Sequence, residues 1–426
     1  MKNKTTKDVY IYGGQRTPFV RSFTKYMGIS NQQLATASIQ HLSTKFGLKG
    51  ELIGDVAMGS VIGHTIDWNM TREAVLGTDL HPETSAYNVQ RACGTGLETL
   101  WHLAMKISLG QIESGIGGGS DTNSDLPVVF PKSFGQKMLG LRGAKSFGQK
   151  VGGFFKFTLA DVKPQFPGVM EPRTGMSMGQ HCEKMVQEWG ISQREQDEIA
   201  YRSHMNAAAA MKEGFLDDLV FEFNGVKQDT SVRGDTTLEK LAKLKPAFDF
   251  GGKGTLTAGN SSPLTDGAAV TLIGSKEFGD RKGLKPLARF VDFQVNSVDF
   301  VHGAGLLMAP TIAVSEMLKR NNMKLQDFDF YEIHEAFAGQ VACTLKAWES
   351  KDYCQKVLKR ADVMGSIDLS KMNVKGGSVA VGHPFAATGS RITAGLAKML
   401  SQKSGRGLIS ICTAGGMGVT AILESV

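Results

Sequence analysis

No apolar run in the 426 residues approaches the ~20 needed to cross a bilayer, so a membrane-spanning helix is not expected. The amino-terminal stretch Met1 to Asp8 is polar and lacks the apolar core of a secretory signal. The final Leu-Glu-Ser-Val426 is neither a peroxisomal nor a retention address. Cysteine is scarce: Cys93, Cys182, Cys343, Cys354 and Cys412 are odd in number, far apart and in no metal-ligand spacing. A reducing cytoplasm is the compartment that fits them, and no metal site is expected. Acidic residues are missing from 131–160, where Lys132, Lys137, Arg142, Lys145, Lys150 and Lys156 concentrate part of the +7 formal charge. Such a stretch is either a solvated face or a surface for a phosphorylated ligand, an anionic membrane or an acidic partner.

The composition, 41% hydrophobic and 21% charged, is that of a globular chain, and its length calls for two or three domains. Val9–Tyr12 reads as a strand followed by a loop through Phe19, and 34–46 as a helix. Asp55–Gly59 is strand-like, 71–80 is helical, and 113–121 is glycine-dense, as where a backbone passes close to a neighbour. From about 126 to 245 the pattern changes. Ser133-Phe-Gly-Gln-Lys137 returns as Ser146-Phe-Gly-Gln-Lys150, too short a repeat for a solenoid and suited to a small amphipathic helix pair. The 193–213 stretch is a helix with Ser192 as N-cap and Glu195 closing a capping box. Strand–helix alternation resumes with a strand at 268–273, a strand at 287–293, a helix at 310–321 and a strand at 329–333. The expected architecture is α/β, with two similar layered halves. The first covers residues 1–126 plus 245–280 and the second 281–426, with an inserted loop domain at 127–244.

Reactive side chains lie at four junctions. Asn88-Val-Gln-Arg-Ala-Cys93-Gly-Thr-Gly96 places a thiol at the start of a helix whose apolar face is Leu97, Leu100, Trp101, Ala104 and Ile107. Unpaired N–H groups and the helix dipole favour thiolate there. His334 follows the 329–333 strand and is read as opening a helix, the place Cys93 holds in the first half. His383 lies between Gly382 and Pro384, with a helix beginning near the proline. Cys412 leaves a buried strand, 407–411, for a glycine-rich turn. Taken singly, each is more often packing than chemistry.

Together, Asn-Val-x-x-Ala-Cys93-Gly-x-Gly, His334-Glu-Ala-Phe-Ala, Gly376-Gly-x-x-x-x-Gly-His383-Pro-x-x-Ala-x-Gly389 and Cys412-x-x-Gly-Gly-Met-Gly418 occur in the order and spacing of the thiolases, which the whole chain resembles. Gln15-Arg-Thr-Pro-Phe19 and Ala258-Gly-Asn-Ser-Ser262 with Asp266 also match. The resemblance implies that Cys93 is acylated by a 3-ketoacyl-CoA or acetyl-CoA, that His383 activates it, and that Cys412 moves the α-carbon proton. It further implies an oxyanion hole from the Cys93 and Ala414 N–H groups, a second from His383 and His334, and pantetheine contacts at Met178 and Ser262. Coenzyme A enters as substrate and no cofactor or metal is implied. Ala414 stands where a glycine is common in this turn.

The chemistry needs these parts on its own account. Cleaving between two carbonyls calls for a nucleophile that forms a thioester, an acid for the departing enolate and donors for two oxyanions. His334, where many thiolases have asparagine, looks like the branch of thiolase subunits in fatty-acid β-oxidation complexes. That implies degradative cleavage, with biosynthesis of acetoacetyl-CoA as the alternative. A ketoacyl synthase-like condensing enzyme would lack Cys412, and a non-catalytic acyl-CoA-binding relative would not need the full set. A homodimer or homotetramer is implied, and no nucleic-acid partner. The basic 131–160 segment is a candidate for docking on a hydratase/dehydrogenase subunit or an anionic membrane, since its phenylalanines add apolar bulk that binding CoA phosphates does not need.

Overall fold

The computed structural model describes residues 6–168, 170–249 and 251–426, so most of the polar amino-terminal stretch considered above lies outside the described residues. Ten strands form the sheet: β1 (Tyr10–Arg16), β2 (Val20–Arg21), β3 (Asp55–Met58), β4 (Ala86–Asn88), β5 (Ser114–Asp121), β6 (Thr265–Gly274), β7 (Ala288–Ser297), β8 (Phe330–Ile333), β9 (Arg406–Thr413) and β10 (Met417–Glu424). The helices are α1 (Asn31–Phe46), α2 (Met70–Leu76), α3 (Thr95–Ser108), α4 (Lys132–Arg142), α5 (Phe147–Phe154), α6 (Leu159–Val162), α7 (Met178–Trp189), α8 (Gln193–Lys212), α9 (Leu238–Ala242), α10 (Lys276–Lys282), α11 (Ala309–Arg320), α12 (Ala338–Glu349), α13 (Lys351–Lys356), α14 (Ser378–Val381) and α15 (Thr388–Gln402). Among the described residues no helix is long and apolar enough to cross a membrane.

The strand order β4-β3-β5-β6-β1-β7-β10-β9-β8 contains one series twice. Outward from the centre, β1-β6-β5-β3 pairs antiparallel, antiparallel, parallel. The series β7-β10-β9-β8 does the same. Among the described residues, the strand pairs Tyr10↔Arg289 and Ile11↔Ala288 join the two. Alternation along the strands then sorts the layers. Val56 and Met58 of β3 pack with Ile39 and Leu42 of α1, whereas Ala57 joins Leu97, Leu100 and Leu103 of α3. In the second half Leu408 and Ile422 pack with Val314 and Met317 of α11. Ile409, Ile411 and Val419 face the central cluster of α3 and α15. The result is helix, sheet, helix, sheet, helix, with α3 and α15 shared by both halves.

Glycine lets those two helices cross closely. A Cβ on Gly96 would lie 2.6 Å from the Ala386 carbonyl oxygen, and one on Gly389 only 2.2 Å from the Leu97 nitrogen. The glycine-dense strand serves the same layer. A Cβ on Gly117 would strike Leu100, and one on Gly119 would sit 2.2 Å from the Ala386 oxygen.

Several boundaries differ from the sequence reading. The first strand does not stop at Tyr12: a register shift between Ile11 and Gly13, the latter at φ 144°, lets it run to Arg16. The 71–80 helix ends earlier, at Gly77. His334 does not open a helix, because α12 begins only at Ala338. A short 3₁₀ turn, Phe385–Ala387, separates Pro384 from α15. The repeated Ser-Phe-Gly-Gln-Lys units fall in α4 and α5, which pack on each other, and Ser146 with Gln149 forms a capping box. Ser192 and Glu195 cap α8 as expected.

Candidate active site

Cys93 sits on a sharp turn between β4 and α3. Ala92 before it is held at φ 43°, a conformation unusual for a residue with a side chain, and Gly94 caps the helix. A Cβ on Gly94 would lie 2.5 Å from Val419, so the turn presses directly onto β10. Thr95 Oγ1 locks it, accepting from Arg91 N–H at 2.8 Å and donating to the Ala92 carbonyl at 2.7 Å.

His334 continues β8 by one hydrogen bond, its N–H donating to the Ser410 carbonyl at 2.8 Å. The loop after it is clamped by the buried Glu335 carboxylate, which accepts from Ser203 Oγ (2.6 Å), Asn373 Nδ2 (2.6 Å) and the Val379 N–H (3.2 Å). His383 is fixed by its own N–H donating to Thr265 Oγ1 at 2.8 Å. The turn beyond it is tied by the Ala386 N–H to the Asp121 carboxylate, also at 2.8 Å. Asp121, at the end of β5, accepts from Val61 and Ile62 N–H as well, and burial pushes its carboxyl up to about 6.

The three elements converge. The Cys93 thiol and one ring nitrogen each of His334 and His383 lie within 4.8 Å of one another, and the two ring centroids are 4.1 Å apart. His334 Nδ1 meets Ser378 Oγ at 3.0 Å and His383 Nδ1 meets Thr388 Oγ1 at 2.6 Å. Both Nε2 atoms are buried without a partner, so they are the nitrogens free to meet the thiol. Such a trio could also hold a soft divalent metal. Cys412, near the end of β9, is close enough for an ionised Cys93 to raise its pKa further.

Burial sets the protonation states. It pushes the Cys93 thiol up to about 12, against the opposing pull of the Ala414 N–H and Cys93's own N–H. This corrects the expectation of a resting thiolate: α3 starts only at Thr95, and loss of water outweighs the helix dipole. Burial, then the Arg391 charge, lowers His383 to about 3, and His334 lies well below its ordinary range. Burial, then Cys93, holds the Cys412 thiol well above its own. The unliganded site is therefore a neutral thiol facing two neutral imidazoles. The Ala414 and Cys93 N–H groups are the donors that favour a negative charge on this sulfur.

Met178 begins α7 half-buried, and Ser262 donates its N–H to the Ala336 carbonyl of the His334 loop at 3.0 Å. Neither belongs to the cluster of reactive atoms. The Gln15–Phe19 motif has a structural job: Arg16 forms a buried two-pronged ion pair with Asp229 at 2.6 and 2.7 Å. Six residues beyond those singled out from the sequence shape the site: Asp121, Thr265, Ser378, Thr388, Arg391 and Glu171. The first five lie in or beside segments already singled out, yet nothing in spacing marks them as partners. Glu171, which accepts the Gly415 N–H at 2.8 Å, lies between α6 and α7 and has no sequence signal at all.

The comparisons agree with this geometry. Residues 9–277 match the thiolase N-terminal domain and residues 284–425 the thiolase C-terminal domain. The chain belongs to the thiolase family. It is 37% identical to a 3-ketoacyl-CoA thiolase of Shewanella baltica (strain OS185), over 99% of this chain and 98% of that one. It is 38% identical to a 3-ketoacyl-CoA thiolase of Yersinia pestis (strain Pestoides F), over 98% and 96%. Among solved structures it resembles the Bacillus anthracis acetyl-CoA acetyltransferase (TM-score 0.82, 29% identity, 99% of this chain and 100% of that one). It also resembles human mitochondrial 3-ketoacyl-CoA thiolase in complex with CoA (TM-score 0.81, 26% identity, 99% and 98%).

Proposed function

We propose that this chain is an acetyl-CoA C-acyltransferase, a 3-ketoacyl-CoA thiolase that works by covalent catalysis at Cys93 in fatty-acid β-oxidation. The observation that carries the reading is the convergence of the Cys93 thiol with two imidazoles whose Nε2 atoms are unpaired, beside a second thiol at Cys412. As a substrate ketone approaches, His383 Nε2 takes the Cys93 proton and the sulfur adds to the carbonyl. The oxyanion meets the Cys93 and Ala414 N–H groups. Collapse breaks the C–C bond and leaves an acyl thioester on Cys93, while acetyl-CoA departs as an enolate. His334 and His383 face the enolate oxygen, and the Cys412 thiol protonates its carbon. The CoA thiol then gives its proton to the Cys412 thiolate, its sulfur adds to the acyl carbonyl, and collapse breaks the Cys93 thioester to release the shortened acyl-CoA, with Cys93 taking its proton back from His383. Thus no step calls on a metal or redox cofactor. A thiolysis assay on 3-ketoacyl-CoA of four to sixteen carbons, with mass spectrometry of the acylated peptide, tests this. Turnover with the adduct on Cys93 supports it; an adduct on Cys412 or Cys182 overturns the assignment.

The insertion, residues 127–244 in our division of the chain, presents a face suited to an anionic membrane. Phe147 and Phe155 are 83% and 85% exposed, Leu139, Phe154 and Leu159 are also exposed, and so are Lys132 on α4, Lys150 on α5 and Lys145 between them. Lys137 is otherwise engaged, paired with Asp161 at 2.6 Å. Changing the three free lysines to glutamine should abolish salt-sensitive binding to anionic vesicles and spare turnover of short substrates. Binding that survives, or a steep rise in KM for CoA, would sink the idea.

A further inference from the structure

His334 and His383 are chemically alike, equally buried and in ring contact, yet the reaction asks opposite things of them. One facing nitrogen must donate to an oxyanion, and the other must accept a proton from sulfur. Two neutral imidazoles of the same tautomer would set N–H against N–H, or lone pair against lone pair.

The surroundings differ in one respect. Arg391 Nη2 donates to Ser378 Oγ at 3.1 Å, and the same oxygen lies 3.0 Å from His334 Nδ1. A guanidinium has only hydrogens to give, so that contact occupies a lone pair of Ser378 and leaves its single hydroxyl hydrogen for His334. The reverse assignment, with Nδ1–H donating to Ser378, would strand the hydroxyl hydrogen of a serine that is fully buried. At His383 the partner is Thr388 Oγ1, and among the described residues no donor comes onto that oxygen. The contact with Thr388 is therefore open to either order, and the base role asked of His383 Nε2 calls for Nδ1–H to donate there. Arg391 itself borders a small cavity of about 40 Å³ shared with Glu332 and Arg16, room for one water at its back. Its charge also opposes protonation of both imidazoles.

We propose that Arg391 and Ser378 are positioning residues that hold His334 as the tautomer protonated on Nε2, while His383, whose partner Thr388 carries no such donor, takes the tautomer protonated on Nδ1 that its role as base requires. The pair then presents one donor and one acceptor at the same point. His383 Nε2 receives the Cys93 proton, and His334 Nε2–H donates to the enolate oxygen without any proton first changing rings. This rests on the thiolase reading above and assigns the residues that make two similar histidines unequal.

The test is long-range ¹H–¹⁵N correlation NMR on full-length protein labelled at histidine nitrogen, combined with kinetics. Wild type should show His334 as Nε2–H and His383 as Nδ1–H. In Ser378→Ala and Arg391→Met, His334 should become a tautomer mixture. Cleavage of 3-ketoacyl-CoA should fall about 10- to 100-fold in kcat, since part of an oxyanion donor is lost. In Ser378→Ala, which keeps the Arg391 charge beside His383, acylation of Cys93 by acetyl-CoA should stay within about two-fold, because that step uses the other oxyanion hole. Arg391→Lys, which keeps a donor for Ser378, should recover most of the loss. An Nδ1–H signal for His334 in wild type overturns the proposal. So does an unchanged tautomer in Ser378→Ala, or an equal loss of acylation and cleavage. Failure of wild type to acylate Cys93 would instead sink the thiolase reading, whatever the tautomers are.

Discussion

The two halves of this molecule run the same strand series and use it differently. At the start of α3 the amino-terminal half supplies one reactive side chain, Cys93. The carboxy-terminal half supplies three: His334 after β8, His383 before α15 and Cys412 near the end of β9. Because α15 enters β9 as α3 enters β5, the counterpart of Cys93 is His383, not His334 as the sequence pattern suggested. The places matching His334 and Cys412 in the first half, after β3 and near the end of β5, carry scaffolding instead. Gly59 leaves no room for a side chain beside the Val89 carbonyl, and Asp121 anchors the turn that follows His383. On the function proposed above, one copy of the fold does the chemistry of enolate and base, and the other holds the nucleophile and braces its neighbour.

The sharpest way to break this division is at the nucleophile. Cys93→Ser should lower thiolysis by about 10⁴-fold or more, because an alcohol lacks the nucleophilicity and cannot form the thioester. Stopped assays with mass spectrometry should find no acyl adduct at any position. In the other half, Cys412→Ala should still acylate Cys93, yet lose about 10²–10⁴-fold in cleavage. Near-normal cleavage in that variant would move the proton step elsewhere.

The bracing role predicts a stability effect. Gly119→Ala puts a Cβ against the Ala386 carbonyl and should cost about 1–3 kcal/mol by denaturant unfolding, with reduced turnover. Gly135→Ala on the exposed α4, where nothing lies within 4 Å, should be neutral or stabilising by up to about 1 kcal/mol. A neutral Gly119→Ala would mean that β5 does not brace the histidine turn. The last effect concerns acid. His383 is held at about 3 when folded and titrates near 6.5 when unfolded, so between these values the unfolded state binds more protons. Its contribution is complete above pH 6.5 and is lost as pH falls towards 3. His383→Gln should flatten that acid decline by on the order of 1 kcal/mol per pH unit. Equal slopes in the two proteins would show that burial at this position is not what acid disrupts.

The α/β class, the 193–212 helix with its capping box and the four reactive junctions were legible because each is a local matter: an apolar period, a cap, a glycine beside a polar residue. The strand boundary at Gly13 was not, because a bulge is set by the partner strand. The protonation states were misread for a related reason. A helix start can be seen in a sequence, but the desolvation that holds Cys93 near 12 comes with burial, where His334 and His383 meet the thiol and Thr413 and Val419 press on the next residue, Gly94. The sequence by itself determined which side chains could do this chemistry. Only the tertiary structure decided their pairing, from the counterpart of Cys93 in the second half to the hydroxyls that meet each imidazole. Hydrogen bonds such as Arg391 to Ser378 to His334 join residues on separate elements, and Asp121 reaches Ala386 across 265 positions. No local pattern carries that information, since it exists only once the two halves have buried α3 and α15 between them.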